Sequence, residues 1–151
     1  MSGDDNMNEN NELLEYMYQD SEMAKYTLEK LINELKGKDN KIIKTLEDIL
    51  KKYEDYYKNL KKELKKENVK PKESSIFSKI GASMGIKKEV ISDNSDSSIA
   101  DMLIKGISMG TLDMEKKISQ YDKIANKKTI DLAKKFLIFQ QDTINNLKIY
   151  L

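Results

Sequence analysis

The sequence predicts an all-α fold of four long helices packed as a bundle, with a short extra helix between the second and the third. Two observations carry this. Leu14, Met17, Ser21, Ala24, Leu28, Leu31 and Leu35 recur in alternating steps of three and four. So do Ile43, Leu46, Leu50, Tyr53, Tyr57, Leu60 and Leu64, and again Ile130, Ala133, Leu137, Gln140, Ile144, Leu147 and Leu151. Such ladders line one helix face and suit knobs-into-holes packing. The gaps between helices run short, long, short, so only the middle connection is long enough to cross the bundle. Composition agrees: charged residues are 35%, apolar residues 38%, and proline occurs once, the profile of long solvated amphipathic helices. The periodicity of the apolar residues excludes disorder as the reason for so much charge.

Residues 1–9 are predicted to be a disordered acidic tail, and residues 10–151 a single domain long enough to bury a core. The first helix is expected to open at Asn10 or Asn11 as N-cap, with Glu12 and Glu15 at the positive end of its dipole. It closes at Lys36, with Gly37 as a left-handed cap. The turn Lys38-Asp39-Asn40 is so short that the second helix must return antiparallel, and it runs to about Asn68, ended by Pro71. Its outer face, with Lys51, Lys52, Lys58, Lys61, Lys62 and Lys65, reads as a solvated face.

Ile76, Phe77, Ile80 and Met84 predict a short helix within residues 74–91, opened by Ser74 or Ser75 and followed by the polar loop Ser92–Ser98. The whole connection, about 25 residues, is long enough to return the chain to the start of the second helix, so the third long helix begins parallel to it. That third helix, Ser97 to Ala125, is apolar over a broad arc and is expected to be the most buried element. Gly106 and Gly110 cost helix propensity and predict close approach of another backbone. Asn126 opens the last helix, and Leu28, Leu50, Leu137 and Ile144 are expected to be almost completely buried.

Several function classes are disfavoured by what is missing. Net charge is +1 and all 27 basic residues are lysine, so neither a steering field nor the arginine fork of specific nucleic-acid recognition is present. Without cysteine or histidine there are no disulfides, no thiolate or imidazole ligands, and no Ser-His or Cys-His pair. The first residues lack the apolar run of a signal peptide, and no stretch is long and apolar enough to span a bilayer. The expectation is a cytoplasmic protein without a membrane span and without a nucleic-acid partner.

The first two ladders, with the segment Ser98-Ile-Ala-Asp-Met-Leu-Ile-Lys-Gly-Ile-Ser-Met-Gly110, resemble a group of small uncharacterised clostridial proteins. That group is similar to the ferritin-like superfamily and, loosely, to spore coat proteins of the Coat F type. The resemblance implies a ferritin-like four-helix bundle. Di-iron proteins of this fold place Glu on two helices and Glu-x-x-His on the other two. Here the corresponding places hold Asp20 and Ser21, then Glu54-Asp-Tyr-Tyr57, then Asp113, then Gln140. With so few inward acids and no imidazole, neither a metal nor another cofactor is expected.

Ser21, Tyr53, Tyr57, Asp113 and Gln140 are instead expected to form a core polar cluster that fixes helix register, with Gln140 bonded to Tyr53, Tyr57, Ser21 or an internal water. The functional expectation is a non-enzymatic structural or protein-interaction module with a degenerate di-iron position, as a homodimer or with another protein. The alternatives are a metal- or small-ligand-binding bundle, carboxylate-only redox activity included, and a spore-coat-associated protein.

Overall fold

In the computed structural model, residues 8–73 and 76–151 are described, the side chains of Ile76 and Phe77 excepted, and among them no strand occurs. The helices are α1 (Glu9–Glu34), α2 (Ile43–Lys66), α3 (Ile76–Ser92), α4 (Asp96–Tyr121) and α5 (Lys127–Lys148). Residues 1–7 of the expected tail, and Ser74 and Ser75, lie outside the described residues. No helix among the described residues is long and apolar enough to cross a membrane.

Cross-helix bonds give the directions. The Tyr121 hydroxyl donates to Glu12 (2.9 Å) and the Tyr16 hydroxyl to Asp113 (3.4 Å), so α1 and α4 are antiparallel. Lys128 pairs with Glu63 at one end of α2 and α5, and the hydroxyls of Tyr150 and Thr45 meet at 2.6 Å at the other, so these are antiparallel too. The Asn40 amide donates to Asn94 O (2.7 Å) and Asp96 Oδ1 (2.8 Å), which puts the starts of α2 and α4 at one end. Hence α2 and α4 run the same way. The most extensive packing is within the pairs α1/α2 and α4/α5, and α3 packs on α1, where Lys79 pairs with Glu22.

Helix starts are capped partly by neighbours. Asn8 caps α1, accepting from Asn11 N at 2.9 Å. The expected caps have moved inward: Asn10 and Asn11 are buried, and Asn10 Oδ1 accepts from Asn126 N (2.9 Å) where α5 begins. At the opposite end α2 has no side-chain cap of its own. Asp96, in the first turn of α4, accepts from Lys41 N (3.1 Å) and more weakly from Ile42 N (3.4 Å). One carboxylate therefore serves two helix N-termini, each of which favours negative charge.

Helix ends follow local chemistry. Gly37 adopts φ +78° after α1. Beyond α2, Asn68 adopts φ +58°, with Val69 N bonded to Leu64 O and Asn68 N to Lys65 O, a Schellman closure with Val69 buried over it. The helix thus stops by its own C-cap at Lys66, before Pro71 could end it.

Three burial expectations need correction. Leu28 is 2% exposed, but Leu50, Leu137 and Ile144 are only half-buried. In their place Ile42 at the start of α2, Ile49 within it, and Phe136 and Thr143 of α5 are buried, each one residue earlier than the ladder. The reason is aromatic. Phe136 packs edge-on to Tyr53 and Tyr56 (centroids 6.2 and 5.1 Å), and Phe139 against Tyr53 (4.8 Å), which rolls the two helices towards each other. Nor is α4 the most buried element, since Met109 and Leu112 are exposed on it. That place belongs to α1, which contacts all four other helices.

Replacing Asp96 with Ala should cost about 1–3 kcal/mol, the range for a lost cap plus bonds to a charged group. Asp101→Ala, which removes only an exposed pair with Lys105, should cost under about 0.5 kcal/mol. Urea unfolding of both variants measures the contrast.

Candidate functional site

On α1, Asp20 lies one residue before ladder position Ser21. Gln140, 1% exposed on α5, donates through Nε2 to Asp20 Oδ2 at 2.9 Å and to the Tyr53 hydroxyl at 3.3 Å. A carboxyl from α1, a phenol from α2 and an amide from α5 thus converge. Gly110 of α4 lies against them: a methyl group there would stand in ordinary contact, 3.5 Å from Asp20 Oδ2 and 3.6 Å from Gln140 Nε2. The close approach expected at Gly110 is therefore to polar side chains rather than to backbone. Nothing lies within 4 Å of where a Gly106 side chain would begin.

Burial pushes the Asp20 carboxyl up to about 6, the Gln140 hydrogen bond opposes the rise, and the neighbouring Asp113 adds to it. Tyr53 is pushed above its ordinary range by burial and then by the Asp20 charge, and Tyr16 by burial, Asp20 and Asp113. These groups present acceptors and neutral phenols to one another. Asp20 Oδ1 takes no hydrogen bond from the described residues, and Gln140 Oε1 is buried without a partner.

The expected polar residues fall in different places. Tyr53 and Gln140 are bonded to each other. Ser21 is fully buried, but its Oγ has no partner among the described residues. Tyr57 is half-buried and belongs to a separate pair, accepting from the Tyr18 hydroxyl at 3.1 Å with the rings stacked at 5.0 Å. Asp113 is exposed and bonds Tyr16 instead of joining the core cluster. Asp20, the residue that organises the centre, was expected only beside the stripe. Its signal is the offset it shares with Leu13, a heptad earlier, which is fully buried one residue before the ladder, whereas Asp20 is half-buried.

Asp20, Tyr53 and Gln140 also line a cavity of about 440 Å³ whose other walls come from α1, α3 and α4. Its apolar surface is built by Met23, Leu28, Ile86, Met102, Leu103 and Ile107, and Gly85 and Gly106 widen it by having no side chain. Size and lining match a small-molecule site: mostly apolar, with a few convergent polar groups. Among the described residues no group of three or more carboxylates is placed to hold a metal ion.

Removing the Asp20 charge should stabilise the protein at neutral pH. A folded carboxyl titrating near 6 against an ordinary 3.8 binds protons more tightly than the unfolded chain. Its stabilising effect is complete below pH 4 and is lost as pH rises through 6, a swing of about 2–3 kcal/mol. The stability of Asp20→Asn relative to wild type should therefore rise by that amount between about pH 4 and pH 7, measured by denaturant melts along the pH series. Compared with family models, curated proteins and solved structures, the chain matches none.

Proposed function

We propose that this chain is a ferritin-like bundle that binds a small, largely apolar molecule in the cavity between α1, α3 and α4, in a binding role and not a catalytic one. The ferritin-like reading is supported by two antiparallel hairpins, α1/α2 and α4/α5, joined by a long crossover that leaves α2 and α4 parallel. The observation that carries the binding role is the convergence of Asp20, Tyr53 and Gln140 on the wall of an otherwise apolar cavity. A core built only for stability has little reason to keep a carboxylate there, because burying it opposes folding at neutral pH. A catalytic role lacks its partner groups: the chain has no histidine or cysteine to act as base or nucleophile beside Asp20.

A role as an interaction module, the first expectation from sequence, draws support from apolar side chains exposed on α3 and α4, Met84 and Met109 among them. The cavity carries more, since it combines shape with placed polar groups.

Gly106→Leu tests the proposal, because it sends a side chain into open space on the cavity wall. The variant should keep wild-type stability or gain up to about 1 kcal/mol from helix propensity. Native mass spectrometry of protein purified from its own host should show a small molecule on the wild type and none on Gly106→Leu. Identical spectra with nothing bound to either would contradict the proposal.

A further inference from the structure

We infer that the cavity selects a primary or secondary alkylammonium: an apolar body carrying a cationic nitrogen with hydrogens to donate, held at Asp20. This rests on the cavity-binding reading above and adds the chemical class of the ligand.

The cavity lacks a counter-charge. Asp20 is the only charged residue among the described residues lining it, and no lysine stands there to neutralise it. The protein supplies that carboxylate with a single donor, Gln140 Nε2 on Oδ2, and leaves Oδ1 open. The one charge from a neighbouring element that acts on Asp20 has the same sign. On α4 the facing charge is Asp113; on α1 and α2 the facing titratable groups are Tyr16 and Tyr53, both held neutral; on α5 it is the uncharged Gln140. From α3 only Ala82, Gly85 and Ile86 reach the cavity. A cationic donor supplies the missing counter-charge and the missing hydrogen bond together, and charge-assisted bonds are about twice as strong as neutral ones.

The same wall argues against neighbouring classes. A carboxylate ligand would face Asp20 with like charge. A quaternary ammonium has no hydrogen to give and is held by aromatic cages, whereas Tyr53 is the single aromatic ring among the described lining residues. The body is apolar because the walls are. Met23 and Met102, flexible and polarisable, adapt to an unbranched or branched chain. A volume of about 440 Å³ has room for roughly fifteen non-hydrogen atoms, at the ~30 Å³ that each water occupies in the liquid.

Isothermal titration of the full chain with n-octylamine, n-octanol and n-octanoate, at about pH 7.5 where Asp20 is ionised, tests the inference on wild-type protein. Octylamine should bind at least roughly ten-fold tighter than octanol, with octanoate weakest. Its affinity should fall as pH is lowered through about 6, because Asp20 takes up a proton while the amine stays charged. Asp20→Asn should bring octylamine within about three-fold of octanol, and Gly106→Leu should remove both. Octanol binding as tightly as octylamine would overturn the amine inference and leave the cavity reading standing. Octylamine binding that survives Gly106→Leu would overturn the assignment of the amine to this cavity. Failure of all three probes on wild type would overturn the cavity reading, and this inference with it.

Discussion

The hydrogen bond from Gln140 Nε2 to Asp20 Oδ2 is the contact around which the centre of the molecule is arranged. A carboxylate surrounded by protein costs several kcal/mol unless it is paired or bonded. Gln140 supplies the only side-chain donor Asp20 receives among the described residues. Turning its amide to do so exposes Nε2 to Tyr53 as well and leaves Oε1 without a partner among the described residues, a cost of about 1–3 kcal/mol. Gly110 lies beside them, where a side chain would come into contact with both polar groups. Three helices are thereby held in register by groups that would be cheaper to replace with leucine. That expense is what separates the centre from ordinary core.

Around it the remainder of the fold is conventional, and its ends are fastened at a distance from the cluster. Asp96 ties the start of α4 to the start of α2, and Asn10 ties α1 to the start of α5. Both contacts join one hairpin to the other at opposite ends of the helices. The middle is then free to carry a cavity, for which α3 forms the outer wall with the small residues Ala82 and Gly85 facing in. The fragment Gly81-Ala-Ser-Met-Gly85 and the fragment Gly106-Ile-Ser-Met-Gly110 both contribute to this region. Gly85 and Gly106 line the cavity, and Gly110 lies against the polar cluster.

Helix number, order, approximate limits and the all-α class were legible from periodicity and connection length, because backbone bonding and amphipathic burial act locally. The exact buried face was not. A seven-residue ladder treats the helix as if it repeated every 3.5 residues, and a real helix also buries the flanking positions of a wide arc. Which flank turns inward is decided by the partner. Here the bulk of Phe136 and Tyr53 chose the side that holds Ile42 and Ile49, leaving Leu50 and Leu137 half-exposed. Gln140 and Tyr53 stood out because they interrupt apolar ladders. Tyr57 interrupted one equally and serves a different contact, with Tyr18. The cavity had no sequence signal, since it comes from where α3 docks.

The most direct test of this account is the titration of Asp20 itself, followed through its side-chain carboxyl carbon by NMR on the full chain without added ligand. The account predicts a midpoint near 6, moving higher still in Gln140→Leu, where the opposing hydrogen bond is gone. A midpoint at the ordinary carboxylate value of about 4, unchanged in that variant, would mean that Asp20 faces solvent and that the centre described here does not exist.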